Sequence, residues 1–410
     1  MTLVPAILLA ALVFRPPQPA QSQPVPTADQ TALVEGNNAF AVGLYGRLRE
    51  ERGNAGNLFF SPESISTAFA MAYAGARGQT EAEMRVVFHF DLPPGRLHPA
   101  MGALLHGMNA PNPNYELRVA DALWAEQDAS FLPSYTNLMK SDYGAGFRRV
   151  DFKTSAEAVR ATINQWVEHQ TNDKIQNLIG PGVLTPLTRL VLTNAIYFKG
   201  TWLTPFKAAA TEDEDFHLTD TQTAKTAMMH RTGGYLYYDG GSFQELELPY
   251  AGDNLAMVVF LPKQTTGLAT FEQGLNPTAL QESIAGLRPA AKVILTLPRF
   301  KMTQQFELSG TLAAMGMPQA FSSTADFSGM TGKPEFSISA AIHKAFIDVN
   351  EQGTEAAAAT AIGMTAAAMR APVQEPPPII FRADHPFLFL IRDTHSGAIL
   401  FMGRVEDPRK

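Results

Sequence analysis

The sequence predicts an α+β fold built on large mixed or antiparallel sheets. Three observations carry that reading. Helical periodicity dominates the first half of the 410-residue chain, strand-like runs bounded by Gly and Pro dominate the part after Leu190, and no regular βαβ alternation joins them. With 45% hydrophobic residues the chain can bury a large core without staples, and no Gly/Ser-rich or charge-rich linker divides its middle, so residues 35–410 read as one large domain.

At the N-terminus, the apolar run from Leu3 to Phe14 is too short to cross a bilayer as a helix, and a Pro-rich, polar stretch from Arg15 to Pro26 follows it. Residues 1–22 are therefore expected to be a signal peptide, cleaved within Ala20 to Ser22, and residues 23–34 a flexible segment. The expected location is secreted or periplasmic. Ala39, Leu44, Tyr45 and Leu48 share one helical face, and Ile65, Phe69, Ala72 and Tyr73 share another after a turn at Ser61-Pro62. Val159, Ile163, Trp166 and Val167 mark a further helix. Strands are predicted at Leu190 to Phe198, Leu255 to Leu261, Val293 to Leu297 and Ala345 to Val349. Phe387 to Ile391 and Ile399 to Met402 read as a closing hairpin turning at His395 to Gly397.

Several functions are excluded on composition and motifs. A net charge of −7 with scattered Lys and Arg offers no footprint for a phosphate backbone, so no nucleic-acid partner is expected. The absence of cysteine rules out disulfides, zinc–thiolate sites, iron–sulfur clusters and a Cys nucleophile. There is no Gly-x-Ser-x-Gly, His-Glu-x-x-His, Gly-x4-Gly-Lys-Ser/Thr or Gly-x-Gly-x-x-Gly signature, so the chain is not read as an enzyme, and no metal or organic cofactor is implied.

The unusual segment runs from Gly353 to Arg370 and continues through a Pro-rich stretch to Pro378. Its alanines would suit a surface helix. Against that, it lacks an apolar stripe, is broken by Gly363 and sits between two predicted strands, where a long connection usually has a function. Read with period two, Thr354, Ala356, Ala358, Thr360, Ile362 and Met364 share one face, small at first and then apolar, as a strand entering a sheet requires.

Val349-Asn-Glu-Gln-Gly-Thr-Glu-Ala-Ala-Ala-Ala-Thr360 resembles the hinge of inhibitory serpins, here of the bacterial type. Similar blocks recur in order along the chain: Asn57-Leu-Phe-Phe-Ser-Pro-Glu-Ser-Ile65, Leu192-Thr-Asn-Ala-Ile-Tyr-Phe-Lys-Gly-Thr-Trp202, Leu246-Glu-Leu-Pro-Tyr250, Leu297-Pro-Arg-Phe300, Ala325-Asp-Phe-Ser328, Ile342-His-Lys-Ala345 and Phe381-Arg-Ala-Asp-His-Pro-Phe387. The resemblance implies a serpin fold of three β-sheets with about nine helices and an exposed reactive-centre loop at about 353–380. It implies a single-use inhibitor: a serine protease cleaves the loop, is held as an acyl-enzyme, and is disabled when the loop inserts into the main sheet.

On the same ground the hinge comprises Glu351, Gly353, Thr354, Glu355, Ala356, Ala357, Ala358, Ala359 and Thr360. Ser61, Ser64, Asn194 and His343 match the polar shutter beneath the sheet, and Trp202 the breach where insertion begins. Singly, His343 and Trp202 would be read as core residues. Ser61 and His343 are not read as a catalytic pair. The family's usual spacing from Glu351 places the scissile bond between Ala367 and Ala368, with Met369 and Arg370 as alternatives. The first suits an elastase-like or subtilisin-like target, and Arg370 a trypsin-like one. The region from Glu81 to Met108, where heparin binds in some relatives, has only dispersed basic residues, so no heparin site is expected, and the protein is expected to be a monomer. The alternative within the family is a non-inhibitory serpin, acting as a protease substrate or a binding protein.

Overall fold

The computed structural model describes residues 26–109, 112–144, 146–252, 254–354 and 377–410. Its helices are α1 (Ala28–Glu51), α2 (Pro62–Tyr73), α3 (Gly78–Phe88), α4 (Pro94–Met108), α5 (Pro133–Asp142), α6 (Phe152–Gln170), α7 (Leu268–Gln273), α8 (Pro277–Gly286), α9 (Leu308–Met315) and the single turn α10 (Ser328–Thr331). The expected flexible segment does not extend through residue 34. Thr27 and Gln30 form a reciprocal capping box, and Leu33 and Val34 are buried, so α1 already runs from Ala28. The turn at Ser61-Pro62 is the start of α2: the Ser61 hydroxyl accepts the Ser64 N–H at 3.2 Å and Pro62 takes the first helical position.

A six-stranded sheet runs in the order β10 (Phe300–Glu307), β11 (Ala340–Asn350), β12 (Gly353–Thr354), β4 (Leu190–Thr201), β2 (Tyr115–Glu126), β3 (Phe147–Val150). The second sheet has nine strands. Its order is β1 (Leu58–Phe60), β15 (Ile399–Val405), β14 (Phe387–Asp393), β8 (Leu255–Pro262), β7 (Phe243–Pro249), β6 (Thr223–Asp239), β9 (Arg288–Pro298), β13 (Ile379–Arg382), with β5 (Thr211–His217) added on β6.

The three sheets implied by the resemblance thus appear among the described residues as two connected ladders. The 17-residue β6 pairs β5 through Thr223–Met229 and β7 through Leu236–Asp239, and a bulge between Gly233 and Tyr235 separates the two uses. One long bent strand therefore serves two sheet regions. The predicted closing hairpin is present as β14–β15, its turn held by the Asp393 carboxylate, which accepts the N–H groups of His395 and Ser396.

Three apolar layers place the sheets. Phe40, Leu44, Phe69, Leu192 and Leu390 belong to a core between the helices and both sheets. Phe198, Leu246, Val259, Phe300, Ile347 and Phe389 fill the space between the two sheets. Ala120, Trp124, Val191, Ala195 and Ile342 form the opposite face of the six-stranded sheet beneath Val159, Ile163 and Val167 of α6. Strand β4 is covered on both faces, which is why its sequence is a nearly unbroken apolar run.

Candidate functional site

A parallel seam runs through the middle of the six-stranded sheet. β4 and β11 pair in parallel over seven residue positions, Val191–Tyr197 against Ala340–Phe346, while every other pairing in the sheet except β2–β3 is antiparallel. Beyond Phe346 and Tyr197 the two strands diverge, and β12 lies between them. Thr354 and Gly353 pair antiparallel with Val349 and Asn350 on one side and with Gly200 and Thr201 on the other. The first residues of the predicted hinge are therefore already strand residues at the mouth of the seam. Gly353 has φ +149°, and a Cβ there would lie 1.9 Å from the Gly200 carbonyl oxygen, so only glycine fits this entry point.

A compact set of side chains closes the mouth. Thr354 is 0% exposed and its hydroxyl meets the Tyr250 hydroxyl at 2.7 Å. Tyr250 stacks on Trp202 at 4.5 Å between ring centroids. The Trp202 indole N–H donates to the Asn350 carbonyl at 3.0 Å and its backbone N–H to the Gln352 carbonyl at 2.9 Å. Glu351, buried beside them, accepts two 2.9 Å hydrogen bonds from Arg299 Nε and further ones from Arg299 Nη2 and the Thr211 hydroxyl. Burial pushes the Glu351 carboxyl up, but these donors outweigh it and hold it below the usual carboxylate range. Arg299, Thr211 and Tyr250 were not singled out from sequence. Arg299 and Tyr250 lie inside the blocks that carry the family resemblance, whereas nothing local marks Thr211.

Halfway down the seam, one row of register partners crosses four strands: Asp121 on β2 faces Asn194 on β4, which faces His343 on β11, which faces Phe306 on β10. This row gathers all four predicted shutter residues. The Asn194 carbonyl binds His343 Nδ1 across the seam, and its amide donates to Asp121 Oδ1 and, at 2.5 Å, to Ser64 Oγ. The Ser64 hydroxyl donates to Asp121 Oδ1 at 2.9 Å. Because the Ser61 N–H donates to His343 Nε2 at 3.2 Å, that nitrogen is the acceptor and the ring proton sits on Nδ1. The imidazole is consequently neutral, and burial lowers its pKa to about 3. Ser61 offers His343 its backbone amide rather than its hydroxyl, and both are fully buried, so the pair is no nucleophile and base. Asp121 and Glu63, the latter buried at the start of α2, were not singled out from sequence, although Glu63 lies inside a block that carries the family resemblance.

Glu355, Ala356, Ala357, Ala358, Ala359 and Thr360 of the predicted hinge, and Ala367, Ala368, Met369 and Arg370 of the predicted reactive bond, lie outside the described residues. What the structure places is the two ends of that segment: β12 in the six-stranded sheet and β13 at the margin of the nine-stranded one.

A partly opened sheet with a short strand at its mouth and a polar row under its seam defines a fold class. The model of the family described as serpin (serine protease inhibitor) matches residues 35–408, and the chain belongs to that family. The human leukocyte elastase inhibitor is 40% identical over 92% of this chain and 99% of its own length. A serpin-like protein of Thermococcus kodakarensis is 40% identical over 94% and 90% respectively. Among solved structures, uncleaved ovalbumin superposes with a TM-score of 0.83 at 32% identity, covering 92% of this chain and all of that one. Human thyroxine-binding globulin with thyroxine bound superposes equally well, at 30% identity over 93% of this chain and all of that one.

Proposed function

We propose that this serpin inhibits serine proteases as a suicide substrate: cleavage in the segment after Thr354 releases the hinge to continue β12 down between β4 and β11, carrying the acylated protease with it. The observation that supports this most is β12 itself, two residues of strand already paired on both sides at the mouth of a closed parallel seam. Extending β12 replaces one parallel ladder by two antiparallel ones, the pairing that is slightly more stable per residue. A new strand of about a dozen residues gains roughly 1 kcal/mol per residue in hydrogen bonding. Thr354 and the alanines after it present side chains small enough to be buried there.

The Ala367–Ala368 bond and the elastase-inhibitor relatives favour an elastase-like or subtilisin-like target, with cleavage after Met369 or Arg370 as alternatives and a trypsin-like enzyme if Arg370 is used. Residues 1–22 support export from the cytoplasm. The test is incubation with elastase, subtilisin, chymotrypsin and trypsin, followed by denaturing gels and mass spectrometry of the released C-terminal peptide. A complex that survives denaturation is the expected outcome, and the peptide mass identifies the bond. Clean cleavage without a complex favours the second reading, a non-inhibitory member, which the likeness to thyroxine-binding globulin keeps in play.

A further inference from the structure

Beneath the seam lie two buried carboxyl groups that pair with no cation among the described residues. Glu63 is 1% exposed and Asp121 is 9% exposed. Glu63 Oε1 accepts the Thr67 hydroxyl at 2.9 Å, and Asp121 Oδ1 accepts Ser64 and Asn194, but Glu63 Oε2 and Asp121 Oδ2 have no hydrogen-bond partner among the described residues. Adjacent residues tie the two together, since Ser64, next to Glu63 at the start of α2, holds Asp121. Asp121 in turn holds Asn194, the residue whose carbonyl bridges the seam to His343.

The described groups around the pair supply no compensating charge. β11 brings His343, neutral in the pH range concerned, and β4 brings Asn194. Met101 of α4 touches Thr67, and His98 one turn away is bound to Tyr143. α1 brings the neutral Asn37, bonded to Ser66. Glu81 and Arg85 of α3 act on Tyr73 at the far end of α2, and Arg404 of β15 is engaged by Glu272 and Glu406. A charge on either carboxyl would therefore be buried and uncompensated.

Resting on the insertion reading, we propose that Glu63 and Asp121 are positioning residues forming a proton-held latch: protonated, they keep α2, Asn194 and the β4–β11 seam in place, and loss of a proton drives the seam open. Burial raises the Glu63 carboxyl to about 7, and burial together with Glu63 pushes Asp121 well above its usual range, so the first proton leaves near neutrality. An opened seam admits water to the carboxylate, so ionisation favours the open form over the closed one. The latch is shut in acid, weakens with each unit of pH from about 4.5, the value of an exposed carboxyl, up to about 7, and is weakened no further by Glu63 above that.

The experiment follows uptake of a fluorescent peptide copying residues 354–366 into the full chain between about pH 5.5 and pH 9, with covalent complex formation measured alongside. Wild-type uptake should accelerate by about tenfold per pH unit from about pH 5.5 to about 7 and more slowly above it, and Glu63→Gln and Asp121→Asn should each flatten that rise. A flat wild-type profile, or a rise retained in both variants, overturns the latch while peptide uptake and complex formation leave the insertion reading standing. Absence of both uptake and complex at every pH overturns the insertion reading, and the latch falls with it. If Glu63→Gln fails to fold, Asp121→Asn carries the same test.

Discussion

His343 and Glu63 are held away from their ordinary protonation by the same cause, burial, but with opposite consequences for pH. The unfolded chain protonates histidine near 6.5, whereas folded His343 resists protonation down to about 3, so its contribution to stability is present above pH 6.5 and is lost as pH falls towards 3. Glu63 has its folded pKa raised from 4.5 to about 7, so its contribution is present below pH 4.5 and is lost as pH rises through 7. The two slopes oppose each other between them, leaving a plateau with an acid limb and an alkaline limb. Urea midpoints measured across pH should show that shape; His343→Gln should remove the acid limb and Glu63→Gln the alkaline one, each group's contribution being worth a few kcal/mol once the other no longer opposes it. At the mouth of the seam, Thr354 leaves no room for a long cation. Thr354→Arg should lower covalent complex formation by at least about tenfold while cleavage continues, because a buried, unpaired guanidinium obstructs the first inserting residue. Unimpaired trapping by that variant would remove insertion from the mechanism.

At the scale of the element, β12 would, on the insertion reading, set where a new strand starts and in which direction it runs. Gly353 lies against the Gly200 carbonyl, so Gly353→Ala should cost about 2 kcal/mol or more and detach β12, seen as a lowered urea midpoint and increased hydrogen exchange at Thr354. The element least legible from sequence is β2. Its centre, Val119-Ala-Asp-Ala-Leu-Trp-Ala-Glu126, lacks the β-branched alternation of a strand, and its acidic positions suggest solvent. Both are buried: Asp121 faces Asn194 in the polar row, and Glu126 accepts the first N–H groups of α6, Phe152 at 3.0 Å and Lys153 at 3.2 Å. By contrast β4, α2 and the β14–β15 hairpin were readable in outline, because double-sided burial, an N-cap with proline, and a turn between apolar runs each leave a local trace.

For the whole molecule, the parallel seam is the part of the sheet that insertion would rearrange, and the uncut chain holds it closed by seven paired residue positions and the Asn194–His343 contact. If cleavage lets β12 extend, the cut protein gains two antiparallel ladders and buries further apolar surface, so it should be more stable than the intact one despite a broken chain. Differential scanning calorimetry should show the cleaved form melting at least about 10 °C above the intact form, on a gain of several kcal/mol. Equal or lower melting would mean that cleavage leaves the seam shut.

The sequence by itself determined the family, the α+β class and the order of its main helices and strands, because these depend on periodicity, caps and ordered blocks readable within short windows of chain. It also marked a candidate hinge and four candidate shutter residues, the latter brought together by the fold, through blocks that the family resemblance made recognisable. Only the tertiary structure decided that β4 and β11 meet in parallel with β12 wedged between them, that β6 joins two sheet regions, and that Arg299 and Thr211 hold Glu351. It alone brought Glu63 and Asp121 together under the seam. Those facts arise from residues far apart in the chain, and the burial that makes a carboxylate or an imidazole consequential exists only once the layers have packed around it.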